Sequence, residues 1–117
     1  MSDSSKDPAI ATLLASAEPL VAEHEALEVA LADPAVHADP AALRRTNKRY
    51  AALGPVVAAR HAVVVAEADL QAARELAAED EAFAPEVPAI EAVLAAAQSR
   101  LQRLLLPRDP DDDRDAI

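Results

Sequence analysis

The sequence predicts an all-α fold, an elongated antiparallel three-helix bundle with coiled-coil-like packing. Of the 117 residues, 31 are Ala and one is Gly; Ala is the best helix former and Gly is among the worst. Three stretches space their apolar residues alternately three and four positions apart, which is the heptad pattern of helices that pack through a seam. The connectors between these stretches are short, and short connectors make neighbouring helices antiparallel.

Four Asp-Pro pairs predict where the helices begin and end. Asp accepts hydrogen bonds from free N–H groups at an N-cap, and Pro has a fixed φ that suits the first helical position. Helices are therefore expected to start at Asp7-Pro8 and Asp39-Pro40. Asp33-Pro34 should end the first helix and open a short connector over 35–38, and Asp109-Pro110 should begin a tail.

The first helix is predicted from Pro8 to about Ala32, and Pro19 interrupts it. Either the helix kinks at Pro19, or a short first helix ends and the main one restarts with Pro19 in its first turn; we favour the second interpretation. Residues 1–18 are accordingly predicted to be an N-terminal extension with a short helix, and 19–106 the helical domain. The seam of this helix consists of Ile10, Leu13, Ala17, Leu20, His24, Leu27 and Leu31.

The second helix, from Pro40 to about Ala78, is predicted to be the longest, about 58 Å at 1.5 Å per residue. Gly54-Pro55 in its middle should kink or break it. It is too long to be covered fully by either neighbour, so part of it should project. Its apolar stripe is Leu43, Tyr50, Leu53, Val57 and Val64, continued one position round by Val63, Leu70, Ala73 and Ala77.

The third helix should begin near Pro85, after a loop over 79–84, and end at 105–107. Pro88 is tolerated because the first N–H groups of a helix have no intrahelical partner. This helix has the most regular heptad seam of the chain, which consists of Val87, Ile90, Leu94, Ala97, Leu101 and Leu104.

The composition excludes several classes of protein. The absence of Cys excludes a disulfide framework and thiolate metal sites. No stretch approaches the roughly 20 consecutive apolar residues of a membrane span, and the polar start, Met1 to Asp7, is unlike a secretory signal. These features indicate a soluble intracellular protein. The net charge of −10 argues against a domain built mainly to grip nucleic acid and suits either solubility or a basic partner.

No pattern in the sequence predicts catalysis. His24 lies on a seam, where a core-edge polar residue is the simpler interpretation, while His37 and His61 share no metal-binding spacing with it. A single Gly cannot form a phosphate-binding loop, and Ser16 and Ser99 lack the partners of a nucleophile. We expect no cofactor, no metal and no enzymatic activity.

One basic cluster stands out against the acidic background. Arg44, Arg45, Lys48 and Arg49 lie on one helical face by their spacing, in the opening turns of the second helix, where the helix dipole disfavours cations. These four residues are the candidate contact for phosphate groups or an acidic partner. The alternative is that they pair with the surplus acidic residues of the chain itself.

The last residues carry the most specific signal. The segment 104–117, LLLPRDPDDDRDAI, resembles the junction that closes the N-terminal domain of a bacterial class-I peptide chain release factor of the type that reads UAA and UAG. Upstream segments (20–28, 31–37, 47–51, 55–58 and 73–77) are similar to the first and second helices of the actinobacterial branch. The resemblance covers residues 20–117. Pro19, Pro88 and the excess of Ala depart from the family pattern, which puts the straightness of the helices in doubt.

The resemblance implies a cytoplasmic, ribosome-docking domain that reaches toward the stalk base of the large subunit. Its four basic residues would touch rRNA or an acidic stalk protein, and its acidic faces would meet basic ribosomal protein. Release factors read the stop codon with one loop and trigger hydrolysis with Gly-Gly-Gln, and this sequence has neither element. Residues 107–117 would be an acidic linker to the domain that carries them. The alternative hypothesis is a free-standing acidic adaptor that binds a protein through its heptad seams; a tRNA-binding arm would need a basic surface.

Overall fold

The computed structural model describes residues 7–106, which are helical almost throughout. The helices are α1 (Pro8–Leu31), α2 (Pro34–His37), α3 (Pro40–Glu79) and α4 (Glu86–Leu105), with one 3-10 turn, Glu81–Phe83, before α4. No strand occurs within residues 7–106. The predicted all-α bundle of three long helices is confirmed.

Asp side chains begin the helices as the sequence predicts. Asp7, Asp33 and Asp39 each accept a hydrogen bond from the backbone N–H two residues ahead, at 2.8, 2.9 and 3.1 Å. Each of these bonds satisfies an N–H that has no partner within the helix. Because Asp33 caps the connector in the same way, the connector is itself a single helical turn, α2.

Two prolines lie inside long helices without ending them. Helix α1 is continuous through Pro19 and α3 is continuous through Pro55, so the predicted restart at Pro19 is wrong and a break at residue 55 is excluded. A Pro inside a helix costs about 3 kcal/mol, through a lost hydrogen bond and a steric clash. Both rings are exposed, whereas Ala17 and Val56 nearby are buried in the core. Packing on either side of each Pro offsets its cost.

The core forms where α1 and α4 both pack against α3. Val63 and Leu101 are its largest fully buried side chains, both with 0% exposure. The molecule measures 60 × 37 × 23 Å, and its longest dimension equals the length of a 40-residue helix, about 60 Å. The buried members of this cluster are Ile10, Ala17, Val56, Ala59, Val63, Ala66, Leu70, Leu94 and Leu101.

The buried face of α3 includes Leu53, Val63, Leu70 and Ala73 of the predicted stripe, but Val56 takes the place of Val57 in it. Val56 and Val63 are buried, whereas Val57 is half-buried and Val64 is 39% exposed. The buried face is centred between two neighbouring helices, and Ala residues complete it at 59, 66 and 73. The last seam position of α4 shifts similarly: Leu104 is 37% exposed, and Leu105 packs against the core in its place.

Ion pairs between the helices follow their antiparallel directions. Glu23 and Glu18 of α1 pair with Arg49 and Arg60 of α3, at 2.6 and 2.7 Å. Arg74, near the other end of α3, pairs with a carboxylate of α4 at 3.0 Å. No residue of α3 before Leu53 is buried. The opening turns of α3 are therefore its least covered part, as expected of a helix too long for its neighbours.

Helix α3 is also long and apolar enough, by length and composition alone, to cross a membrane. One 18-residue window has a mean hydropathy of 1.3 and is 28% buried. This qualifies the expectation that no segment approaches a membrane span. The helix is nevertheless the central element of the bundle, and the guanidinium of Arg60 near its midpoint pairs with Glu18. A charge in the middle of a span is costly, so this feature is weak evidence for a membrane.

Candidate functional site

The four predicted residues form an exposed basic patch on the opening turns of α3. We define the basic patch as Arg44, Arg45, Lys48 and Arg49; all four side chains are exposed. Three of them, Arg45, Lys48 and Arg49, line an open depression of about 290 Å³ together with Ala52. Arg44 does not line it. The structure thus brings three of the four predicted residues together around one concavity.

Arg49 is held in place by a carboxylate of α1. Its Nε donates to Glu23 Oε2 at 2.6 Å and its Nη2 donates to Oε1 at 2.8 Å, which is the two-pronged geometry that makes Arg–carboxylate pairs strong and directional. The hydrogen bond from Arg49 lowers the pKa of Glu23, and the reciprocal bond raises the pKa of Arg49. Arg49 therefore joins α1 to α3 as well as lining the depression.

The other three cations remain uncompensated by the part of the chain that the structure describes. Arg44, Arg45 and Lys48 form no ion pair with any residue between 7 and 106. The alternative of intramolecular pairing thus applies within this range to Arg49 alone. Arg44, Arg45 and Lys48 are neighbours on one helical face, so an anionic ligand would relieve their mutual repulsion.

An aromatic contact joins α1 and α3 beside the basic patch. The rings of His24 and Tyr50 stack with centroids 4.3 Å apart and an interplanar angle of 16°, next to the Glu23–Arg49 pair in both helices. The interpretation of His24 as a core-edge residue is confirmed.

His37 Nε2 lies 2.6 Å from Leu31 O. Between residues 7 and 106, no three His, Asp or Glu side chains are arranged to hold a metal ion.

Glu23 is a member of the site that the sequence pattern did not predict. Glu23 lies 26 residues before Arg49, so helical spacing within one element does not connect the two. A usable signal was present, because charged residues that flank a heptad seam commonly pair across helices. Glu23 flanks the seam of α1 next to His24, and Arg49 flanks that of α3 next to Tyr50.

These features define a helical domain that offers a binding surface. Residues 20–117 match the PCRF domain, and the chain belongs to that family. The resemblance found in the sequence is thereby confirmed. The predicted acidic linker, 107–117, is within the matched segment but outside the residues that the structure describes.

Curated relatives are similar over most of the chain. The chain is 54% identical over 98 residues to peptide chain release factor 1 of Clavibacter michiganensis subsp. michiganensis, covering 84% of this chain and 27% of that protein. It is 51% identical over 98 residues to the protein of the same name from Leifsonia xyli subsp. xyli, with the same coverage of both chains. Identity to that of Mycobacterium tuberculosis is 49%, over 84% of this chain and 28% of that protein.

The chain therefore spans just over a quarter of the length of the curated relatives it matches. No solved structure matches it.

Proposed function

We propose that the chain is the N-terminal, ribosome-docking domain of a peptide chain release factor that directs termination at UAA and UAG codons. The match of residues 20–117 to the PCRF domain, with about half of the aligned residues identical to release factor 1 proteins, is the observation that carries this proposal.

The chemistry of the chain supports a docking role rather than a catalytic one. Gly54 is the only Gly, so a Gly-Gly-Gln tripeptide is absent from this sequence. The rigid bundle, 60 Å long, is suited to reaching across a large assembly. In this proposal, codon reading and peptide release depend on other parts of the factor, and the domain works in the bacterial cytoplasm.

The charge distribution supports a docking surface with two different sides. The chain carries a net charge of −10, which would attract basic ribosomal protein, while the basic patch would attract rRNA or an acidic stalk protein. Complementary charge of this kind speeds association and fixes orientation more than it raises affinity. We assign the contact to the stalk base of the large subunit on the family resemblance.

A chimera tests the proposed function directly. Residues 20–117 would replace the matching segment of the Clavibacter release factor, and peptide release would be measured on ribosomes that display UAA, UAG or UGA. The expected result is release at UAA and UAG at rates close to those of the parent factor, and none at UGA. The control is the same factor with the segment deleted. A soluble, folded chimera no more active than the deletion would refute the proposal.

Charge reversal tests whether the basic patch contacts the ribosome. Replacing Arg44, Arg45, Lys48 and Arg49 with Glu in the chimera should weaken ribosome binding, more strongly at low salt than at high salt, because salt screens exposed charges. Unchanged affinity at low salt would remove the patch from the docking surface.

The adaptor hypothesis loses its main support in the structure. It requires heptad seams that are free to bind another protein, but the seam residues Ile10, Ala17, Leu94 and Leu101 are buried against α3 within the bundle.

A further inference from the structure

We propose that the depression lined by Arg45, Lys48 and Arg49 is a binding site for the phosphate backbone of RNA, without preference for base sequence. The inference deepens the proposed function and rests on it for the source of the RNA, which would be ribosomal.

The depression carries unpaired positive charge. Of the cations in the depression, Arg45 and Lys48 have no ion-pair partner between residues 7 and 106, although acidic residues outnumber Lys and Arg by 21 to 11 in the whole chain. Because acidic residues are in such excess, a shortage of carboxylates does not explain why these two cations lack an ion-pair partner. The acidic residues would repel a nucleic acid over much of the remaining surface, which would favour binding at this patch.

The depression also supplies hydrogen-bond donors for a phosphate group. A guanidinium has five N–H groups, and Glu23 engages Arg49 through Nε and Nη2. The donors left over belong to a side chain whose position is already fixed, so little conformational entropy is lost when a phosphate binds. Ala52 forms part of the lining, and its single methyl leaves the depression open to an anion.

The composition of the patch favours RNA over a protein partner. The anchors of protein interfaces are most often Trp, Tyr and Arg, and the patch offers Arg but no exposed aromatic or large apolar side chain beside it along residues 40–53. The one aromatic residue in these turns, Tyr50, is half-buried and stacked on His24, which also keeps it from stacking on a base. Backbone phosphates are bound by charge and hydrogen bonds alone, so binding should be independent of sequence and sensitive to salt.

The test measures binding of a fluorescently labelled, mixed-sequence 20-base-pair RNA duplex to the whole chain by anisotropy, from 20 to 200 mM KCl. The double variant R45Q/K48Q removes two phosphate contacts. Each contact adds roughly 0.7–0.9 to the slope of log affinity against log salt. The slope should therefore fall by roughly 1.4–1.8, which makes the parent lose roughly tenfold more affinity than the variant between 50 and 200 mM salt.

The matched control is R100Q/R103Q, which changes the net charge equally at two exposed positions of α4. Circular dichroism would verify that both variants are folded. A smaller slope in R45Q/K48Q, with the parental slope in the control, supports the site. An equal fall in both variants would reduce the effect to overall charge and overturn it.

Two further results would also overturn the proposal. One is the absence of RNA binding by the parent at 20 mM KCl. The other is equal or tighter binding of a polyglutamate peptide that responds to the same substitutions, since the site would then select an acidic protein segment. Because the duplex assay contains no ribosomes, a negative result beside an active chimera would reject the RNA site and leave the proposed function intact.

Discussion

Replacing Leu101 with Ala should be among the most destabilising single substitutions in this domain. Its side chain is fully buried in the cluster that joins α1, α3 and α4. The substitution removes three carbon groups at about 0.8 kcal/mol each, or about 2.4 kcal/mol. The cavity left behind adds to this, and the total should be about 2.5–4 kcal/mol, within the range observed for buried Leu→Ala changes. The total free energy of unfolding of a native protein is about 5–15 kcal/mol, so this single loss would be a large part of it.

The assay is urea unfolding followed by circular dichroism at 222 nm, with Leu104→Ala as the matched control. Leu104 lies on the same helix, loses the same atoms and is 37% exposed, so its substitution should cost about 1 kcal/mol or less. The sequence pattern alone places both residues on one seam and predicts similar costs. Equal destabilisation by the two variants would refute the observed burial of α4.

Three other substitutions test separate features by the same unfolding assay. Gly54→Ala should stabilise the domain by about 1 kcal/mol, because a Cβ at that position meets nothing within 4 Å. Glu67 has a buried, unpartnered oxygen, and its pKa is raised by burial and by the charge of Asp7. Because the folded state then holds this proton more tightly than the unfolded state, stability should fall as pH rises above 4.5. The variant Glu67→Gln should remove this fall. The pKa of Glu23 is lowered by its hydrogen bond with Arg49, so the stability it contributes is present at pH 7 and lost as pH falls below 4.5. Glu23→Gln should accordingly be less stable than the parent at pH 7, and this difference should shrink as pH falls below 4.5.

The heptad spacing predicted α1 and α4 well and α3 less well. In α1 and α4, Leu and Ile alternate with smaller or polar residues, so one face is clearly the most apolar. In α3, Ala occurs on every face and Val occurs in runs of two or three, at residues 56–57 and 63–65. A helix that packs against two neighbours buries the face between them, and this direction depends on tertiary packing that the spacing does not contain.

Pro19 illustrates a second limit on what the sequence alone can predict. The cost of an internal Pro is local and visible in the sequence, whereas the packing that offsets it is distant. The candidate site likewise combines a local and a distant feature. Helical spacing placed Arg45, Lys48 and Arg49 on one face, but the pairing of Arg49 with Glu23 joins two helices and cannot be predicted from spacing within one of them. Only the fold distinguishes the cation that is already paired from those that are not.

Helix α3 packs against both α1 and α4, so its backbone amides should be protected unevenly against hydrogen exchange. Amides near Val63, beneath both α1 and α4, can exchange only when the whole bundle opens, so they should report global stability. The turns before Leu53 contain no buried side chain, and their amides should open at much lower free energy. The basic patch therefore lies on turns of α3 that can exchange while the core stays closed, and the Glu23–Arg49 pair is a contact that holds these turns against α1.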